Sequence, residues 1–220
     1  MIEVVTIRYG TKYGPEYLQA WAAGVKRNIT VPYRMVCFTD EPTVYDPDVH
    51  LVITEDLGTW WNQLWIFCGW TDHRQLYIDL DDVIVGSLDD LASYTGPYAS
   101  HSDAYCPRNM DSGLQLVAPG FGWTLWWEFI KHRDALRGHY RSPKEYLIDR
   151  INQEARTDTV FPGQWLSYKV DLRDKGLQAI PANARIIGMH GEPKPTQLWP
   201  ENPVRKVWDM REGTQDAVRS

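Results

Sequence analysis

Strand-like and helix-like apolar patterns alternate through the first hundred residues of the chain. The mostly apolar run Ile2–Ile7 is typical of a buried strand, and Pro15 then opens a helix pattern at a first position that tolerates proline. Further strands are predicted at 33–38, 50–53 and 75–78, and a core-facing helix at 61–68. This order predicts an α/β fold with a mostly parallel sheet flanked by helices and a ligand site at the carboxyl ends of the strands.

The second half of the chain is richer in helix patterns. A helix is predicted over residues 121–131, with Trp123, Trp126, Trp127 and Ile130 on its core-facing side. Ser142 begins a capping box that predicts another helix, continuing to about residue 155. The 220 residues fit one large domain with halves at 1–100 and 101–211, followed by a polar tail, 212–220, predicted to be flexible.

Composition and charge exclude several classes of protein. With 43% hydrophobic and 24% charged residues the chain is globular, and its net charge of −6 disfavours non-specific coating of nucleic acid or anionic membrane. The charge is uneven, because residues 1–100 carry 6 basic and 14 acidic side chains whereas residues 101–220 carry 17 and 15. We therefore expect the two halves to face different ligands.

The three cysteines are far apart and form no CxxC pair, which argues against a disulfide framework or a thiolate zinc site. The N-terminal segment does not have the pattern of a signal peptide, and no apolar run approaches a membrane span. These features predict a cytoplasmic protein without a membrane span.

The segment QLYIDLDDVIV carries the clearest chemical signal. An apolar strand ends in Asp79, Asp81 and Asp82, and apolar residues resume at Val83. Strand alternation predicts that Asp79 and Asp81 lie on one side and Asp82 on the other. Two such carboxylates suit a hard divalent cation, Mg²⁺ or Mn²⁺, bound with diphosphate oxygens. The alternative is a solvated acidic turn.

A second segment, IIGMHGEPKPTQLW, has matching chemistry. A short strand leads to His190 and Gly191, and Lys194 stands between two prolines. An imidazole can complete the coordination of Mn²⁺ beside two carboxylates, and a lysine can neutralise phosphate. The alternative for the histidine is an ordinary core or surface residue.

On these two segments the chain resembles the GT-A glycosyltransferases, especially the retaining family of glycogenin and the bacterial lipopolysaccharide galactosyltransferases. YIDLDDVIV corresponds to that family's YxDxD strand and HGEPKP to its HGxxKPW loop. The resemblance implies a single-domain GT-A (Rossmann-like) fold with a mixed, mostly parallel sheet. It also implies that Asp79, Asp81 and His190 bind the metal, and that Lys194 and Gly191, with Asp79, contact the donor.

Weaker correspondences extend the resemblance to the donor site. The opening strand resembles the one that cradles the nucleotide base, which makes Thr6, Tyr9 and Tyr13 candidates for base or ribose contacts. Gln63 stands where related transferases carry a lysine, and Arg74 is a candidate to replace that charge.

Other correspondences concern catalysis. NMDSGLQLV resembles the segment beside the donor sugar, with Asp111 in the usual asparagine position. FPGQWLSY resembles the DQDxLN segment, which places Gln164 near the reacting anomeric carbon. Retention of configuration is implied, with Gln164 as polar stabiliser; inversion is the alternative and would need Asp111 or Asp103 as general base.

Indole faces suit sugars and bases. Most of the 11 tryptophans have core spacing, so only Trp165 and Trp199 are expected to contact ligand.

The predicted function is metal-dependent transfer of a sugar from a nucleoside diphosphate, UDP first, to an acceptor hydroxyl. The acceptor is a glycan or, as in compact phage transferases, a modified DNA base. Two alternatives remain: a nucleotidyltransferase-type enzyme, for which RYGTKYG would be the phosphate loop, and a binding module that has lost its activity.

Overall fold

The computed structural model describes residues 1–151 and 155–210. Its first half alternates strands and helices as predicted. In chain order the elements are β1 Ile2–Arg8, α1 Pro15–Asn28, β2 Tyr33–Thr39, β3 Val49–Ile53, a 3-10 helix Thr59–Phe67, β4 Arg74–Ile78, β5 Val83–Ile84, α2 Asp89–Ala92 and β6 Tyr98–Ser102.

The second half continues with β7 Met110–Val117, α3 Trp123–Lys131, α4 Arg133–His139, α5 Pro143–Arg150, β8 Ala155–Arg156 and α6 Thr157–Val160. It ends with β9 Trp165–Ser167, a π-helix Tyr168–Arg173, β10 Ile186–Gly188, a 3-10 turn Pro195–Gln197 and α7 Pro203–Asp209. The predicted tail, 212–220, lies outside the described residues.

The main sheet has seven strands in the order β3-β2-β1-β4-β7-β6-β8. Strands β3, β2, β1 and β4 are parallel, and β7 pairs antiparallel with both β4 and β6. A small sheet, β5-β10-β9, begins where β4 ends. The predicted mixed, mostly parallel sheet in a single domain is confirmed.

Helices cover both faces of the main sheet. One face packs against α1 and α7 through buried side chains such as Leu18, Trp21 and Trp208, and the other packs against the 3-10 helix, α3 and α5. Burying a large apolar side chain stabilises the fold by roughly 1.5–3 kcal/mol. Helix α1 approaches β5 closely at Gly24, where an added Cβ would lie 3.1 Å from the Cβ of Ile84.

Three details differ from the sequence predictions. The segment predicted as a helix at 61–68 is a 3-10 helix in which Trp61 and Leu64 are buried. Helix α3 buries Trp126, as predicted, together with Phe129, whereas Trp123 and Trp127 are 43% and 51% exposed, so the predicted core face was wrong for these two. Helix α5 begins at the predicted cap, where the Ser142 hydroxyl accepts from the Glu145 amide at 3.3 Å, but it ends at Arg150, because the backbone of Ile151 is extended.

Candidate active site

The three acidic residues after β4 lie at the carboxyl end of the parallel strands, as predicted. The chain turns there instead of continuing extended, and the Asp82 amide donates to the Asp79 carbonyl at 3.1 Å. A Cβ added to Gly113 on the neighbouring strand β7 would lie 3.1 Å from Asp111 Oδ1, 3.3 Å from Asp79 Oδ2 and 3.5 Å from Asp82 Oδ2. Asp79 and Asp82 therefore face the same point beside Asp111. The predicted alternation was wrong here because it assumed an extended chain.

Asp81 points toward the second predicted segment. Its Oδ2 accepts a hydrogen bond from the Tyr13 hydroxyl at 2.9 Å and forms an ion pair with the Lys194 ammonium. Lys194 also donates to the Met189 carbonyl at 3.0 Å, and both charged residues are buried. The fold thus joins the two segments that the sequence analysis singled out, 113 positions apart along the chain.

Burial and mutual repulsion raise the proton affinity of these carboxyl groups. Burial raises the pKa of Asp79 to about 7, with a further contribution from the Asp81 charge. Burial also raises the pKa of Asp82 well above its ordinary value, with help from Asp79 and Asp81. Tyr77 donates to Asp79 Oδ1, and the Met189 amide donates to Asp82 Oδ1 at 2.9 Å. Because these donors are neutral, they do not offset the negative charge of the carboxylates. The single positive charge of Lys194 offsets only part of it.

His190 lies at the end of β10 next to this cluster. Its Nε2 is 2.5 Å from the Ser167 hydroxyl, and the ring of the exposed Tyr105 packs edge-on against it at 5.2 Å. Burial lowers the pKa of His190. Gly191 follows in a left-handed conformation, φ 65°, and an added Cβ there would lie 2.9 Å from the Lys169 ammonium. These positions place the His190 imidazole and the Lys169 ammonium at the rim of the carboxylate cluster, beside the buried Lys194.

The predicted metal ligands are not arranged as a coordination sphere. Within residues 1–151 and 155–210, no three His, Cys, Asp or Glu side chains are grouped so that they could hold a metal ion. Asp81 is paired with Lys194, and His190 is paired with Ser167. Binding a cation through Asp79, Asp81 and His190 would require these partners to rearrange.

Asp111 and the end of β6 form a neighbouring polar group. The Asp111 Oδ1 accepts from the Gly113 amide at 2.7 Å, and Asp111 lies opposite His101 in the strand register. His101 Nδ1 is 3.0 Å from the Thr157 hydroxyl, and Asp158 accepts from the Ser102 amide at 3.2 Å. The sequence analysis singled out neither Thr157 nor Asp158, because the four-residue α6 that carries them is too short to leave a periodic pattern.

The other candidate general base, Asp103, forms an ion pair with Lys144. That contact and the bonds from two backbone amides lower its pKa although burial opposes the change. A carboxylate so stabilised in its ionised form is a weak base.

The predicted donor-side residues differ in accessibility. Thr6 is completely buried in β1, so it does not face a ligand as the structure stands. The Tyr9 hydroxyl is hydrogen-bonded to Thr54, and the Gly10 amide donates to the exposed Asp40 carboxylate at 3.2 Å. Tyr13 contacts Asp81 rather than open space. The surface at the ends of β1, β2 and β3 is therefore built by Tyr9, Gly10, Asp40 and Thr54.

Three other residues predicted to contact ligand are bonded to protein groups in the structure. Gln164 precedes β9, at the end opposite Ser167, and its amide donates to Asp90 of α2 at 2.8 Å. Trp165 is buried, with its indole N–H 3.4 Å from Asp82 Oδ2. Arg74 begins β4, at the end away from Asp79, and donates to the carbonyls of Thr95 and Gly96.

Two further residues of the prediction have clear positions. Trp199 is 72% exposed. The buried Gln63 donates its side-chain amide to the Ser112 carbonyl at 2.6 Å, which supports β7 next to Asp111.

Two further features concern helix length and the cysteines. Within the described part of the chain, helices are too short or too polar to cross a membrane. Cys37, Cys68 and Cys106 are all free thiols.

Comparison with known proteins shows the fold. No protein-family model and no curated protein matches the chain by sequence. Among solved structures, the galactosyltransferase LgtC, crystallised with donor and acceptor sugar analogues, superposes with a TM-score of 0.61 at 10% identity, covering 97% of this chain and 98% of LgtC.

Two proteins with longer chains superpose with slightly higher TM-scores. The glycosyltransferase GlyE of Streptococcus pneumoniae TIGR4 gives a TM-score of 0.66 at 13% identity over 94% of this chain, and the bifunctional glycosyltransferase WbbM gives 0.66 at 12% identity over 96%. The chain spans 60% of the GlyE chain and 50% of the WbbM chain. The predicted GT-A fold is therefore confirmed: this chain has the fold of the glycosyltransferases LgtC, GlyE and WbbM.

Proposed function

We propose that the chain is a glycosyltransferase that moves a sugar from a nucleoside diphosphate, UDP first, to an acceptor hydroxyl. The observation that carries the proposal is the convergence of residues 79–82 and 189–194 at the carboxyl end of the sheet, where ligands bind in open α/β folds. Residues 1–100 would form the donor-binding half and residues 101–211 the acceptor-binding half, with His190 and Lys194 of the second half reaching the donor diphosphate.

The site suits a divalent cation in charge and chemistry. Asp79, Asp82 and Asp111 each approach Gly113 and the Asp81 charge acts on Asp79, whereas Lys194 supplies one ammonium, although these carboxyl groups would have to rearrange to surround an ion. Carboxylate oxygens are the ligands that Mg²⁺ and Mn²⁺ prefer. We propose that Asp79 and Asp81, with His190, hold such an ion, which when bound would stabilise the charge on the departing diphosphate.

The protein's own residues would share that work. Lys194 would move its ammonium from Asp81 to a phosphate oxygen and neutralise part of the charge that develops there. Lys169 at the rim would add a second positive charge. We propose that Tyr9 and Asp40, at the ends of β1 and β2, contact the nucleoside, and their position at the carboxyl ends of the strands supports this.

We propose retention of anomeric configuration on the basis of the family resemblance. Gln164 does not support it, because its amide is held by Asp90. Asp111 faces the cluster and is the residue best placed to contact the sugar or, in an inverting reaction, to act as base. The proton NMR spectrum of the sugar released by donor hydrolysis, recorded before the two anomers equilibrate, distinguishes the two outcomes.

The proposed acceptor is a glycan hydroxyl, and a modified DNA base is the alternative. The DNA alternative predicts duplex binding that weakens steeply as salt is raised. Absence of DNA binding at low salt would remove it.

The nucleotidyltransferase alternative lacks support from the loop RYGTKYG. Its Gly10 amide is bonded to Asp40, and the Lys12 ammonium lies over the Tyr13 ring at 4.8 Å. Neither group forms a phosphate cradle in this structure.

A donor panel tests the proposal. Purified protein would be incubated with UDP-, GDP- and dTDP-sugars in Mn²⁺, Mg²⁺ or EDTA, and nucleotide release measured. Metal-dependent release from one donor, abolished in Asp81→Asn while the far-UV circular dichroism is unchanged, is the expected result. An Asp81→Asn protein with wild-type release would contradict it, and a protein that neither cleaves nor binds any donor would favour the binding module that lost its activity.

A further inference from the structure

Asp82 follows the predicted metal-binding pair, yet it bonds to a different sheet. Strand β5 pairs antiparallel with β10, with Val83 opposite Ile187, so Asp82 lies beside the end of β10. Its side chain is 6% exposed. Oδ1 accepts from the Met189 amide at 2.9 Å, and Oδ2 lies 3.4 Å from the indole N–H of Trp165 in β9. Asp82 therefore connects the end of β4 to β9 and to the residue that follows β10.

The backbone of Met189 extends this connection to Lys194. Its N–H donates to Asp82, while its carbonyl accepts from the Lys194 ammonium at 3.0 Å. That ammonium also pairs with Asp81, and His190 is the next residue along the chain. Hydrogen bonds thus connect Asp82, the backbone of Met189, Lys194 and Asp81 in turn, and Asp81 and Asp82 are neighbours in the chain.

We propose that Asp82 is a positioning residue. By accepting from the Met189 amide it holds the backbone of Met189, and this backbone fixes Lys194 and His190 against the carboxylate cluster. The proposal rests on the proposed function, since it is the nucleoside diphosphate that Lys194 would bind. Asp82 acts on the ligand through other residues. A buried peptide N–H without an acceptor is costly, so removing the carboxyl group would release residues 189–194 from their present position.

Asn and Ala substitutions separate positioning from charge. Asp82→Asn keeps an oxygen that can accept from the Met189 amide, although it places an NH₂ group toward Trp165. Asp82→Ala removes both acceptors. A positioning role therefore predicts a mild Asn variant and a severe Ala variant, whereas a direct role of the negative charge predicts that the two are equally severe.

The first measurement is hydrogen exchange of the Met189 amide by NMR, in the protein without ligands. We expect Asp82→Ala to raise the exchange rate about tenfold or more and Asp82→Asn to leave it within about threefold. Unchanged exchange in Asp82→Ala would overturn the proposal. Should Asp82→Ala not fold, Asp82→Leu repeats the test, because leucine fills a similar volume without accepting a hydrogen bond.

The second measurement is calorimetric titration with UDP and Mn²⁺. Asp82→Ala is expected to weaken binding about tenfold or more, with Asp82→Asn within about threefold of wild type. The matched control is Glu3→Ala, which removes a completely buried carboxylate, paired with Arg34, from the far end of β1. This control should lower stability and leave UDP affinity unchanged.

The outcomes separate this proposal from the proposed function. Equal weakening by Asp82→Asn and Asp82→Ala, or wild-type affinity in Asp82→Ala, overturns the positioning role. If the wild-type protein does not bind UDP, the titrations are repeated with GDP and dTDP, and absence of binding to all three overturns the proposed function and the binding role with it. The exchange measurement still decides whether Asp82 holds the backbone of Met189.

Discussion

The buried ion pair between Lys194 and Asp81 allows a prediction of how much unfolding free energy the protein loses when one partner is removed. Both side chains are about nine-tenths buried, and the carboxyl groups of Asp79 and Asp82 lie close by. Lys194→Met leaves Asp81 with one neutral donor, Tyr13, among other acids. Breaking a buried pair from one side costs about 3–5 kcal/mol. For a chain of 220 residues this corresponds to a fall in Tm of about 6–20 °C.

Asp81→Asn should behave differently from Lys194→Met. It removes one of the crowded negative charges. Lys194 still donates to the Met189 carbonyl and still lies near the remaining carboxyl groups. We therefore expect Asp81→Asn to cost clearly less, and the double variant Lys194→Met/Asp81→Asn to cost less than the sum of the two single changes.

Urea denaturation of the four proteins, without metal, measures these differences. The control is Lys175→Met, which breaks an exposed ion pair with Asp171 and should cost less than about 1 kcal/mol. A Lys194→Met protein as stable as the control would refute the reasoning, as would additive effects of the two site substitutions.

Three further predictions concern pH, backbone contact and the tryptophans. The pKa of Asp79 is raised to about 7 in the folded protein, so the contribution of this group to stability is fully present below its ordinary pKa near 3.8 and is lost as pH rises through 7. The unfolding free energy of the metal-free protein should therefore fall between pH 4 and 8. Asp79→Asn should reduce that fall. Gly113→Ala, which places a methyl group among three carboxylates, should weaken UDP·Mn²⁺ binding at least fivefold in titration calorimetry while the circular dichroism spectrum is unchanged. Trp127→Ser should change the urea midpoint little because this indole is half exposed, whereas Trp126→Ser should cost about 3–5 kcal/mol, and equal costs would contradict the described face of α3.

The parallel half of the sheet could be predicted because its signals are local. The apolar run of β1, the proline that opens α1 and the strand before Asp79 each mark their element within a few residues. The carboxylates at the end of β4 were identifiable because acids interrupt an apolar strand there. The same logic found His190 and Lys194 after β10.

Non-local contacts set the limits of prediction. Helix α3 has two apolar stripes, one through Trp123 and Trp127 and one through Trp126 and Phe129, and only the packing against the 3-10 helix decides between them. Gln164 was assigned to the reaction centre by motif similarity, but the direction of β9 places it at the opposite end from Ser167.

Calorimetric titration of the wild-type protein and Asp81→Asn with UDP, in Mn²⁺ and in EDTA, tests the central claim most directly. We predict saturable one-to-one binding that requires Mn²⁺ in the wild-type protein and falls at least tenfold in Asp81→Asn. Binding that is indifferent to both EDTA and Asp81→Asn would contradict a cation at this carboxylate cluster, and no binding of UDP or any other nucleoside diphosphate would contradict the assignment of the site itself.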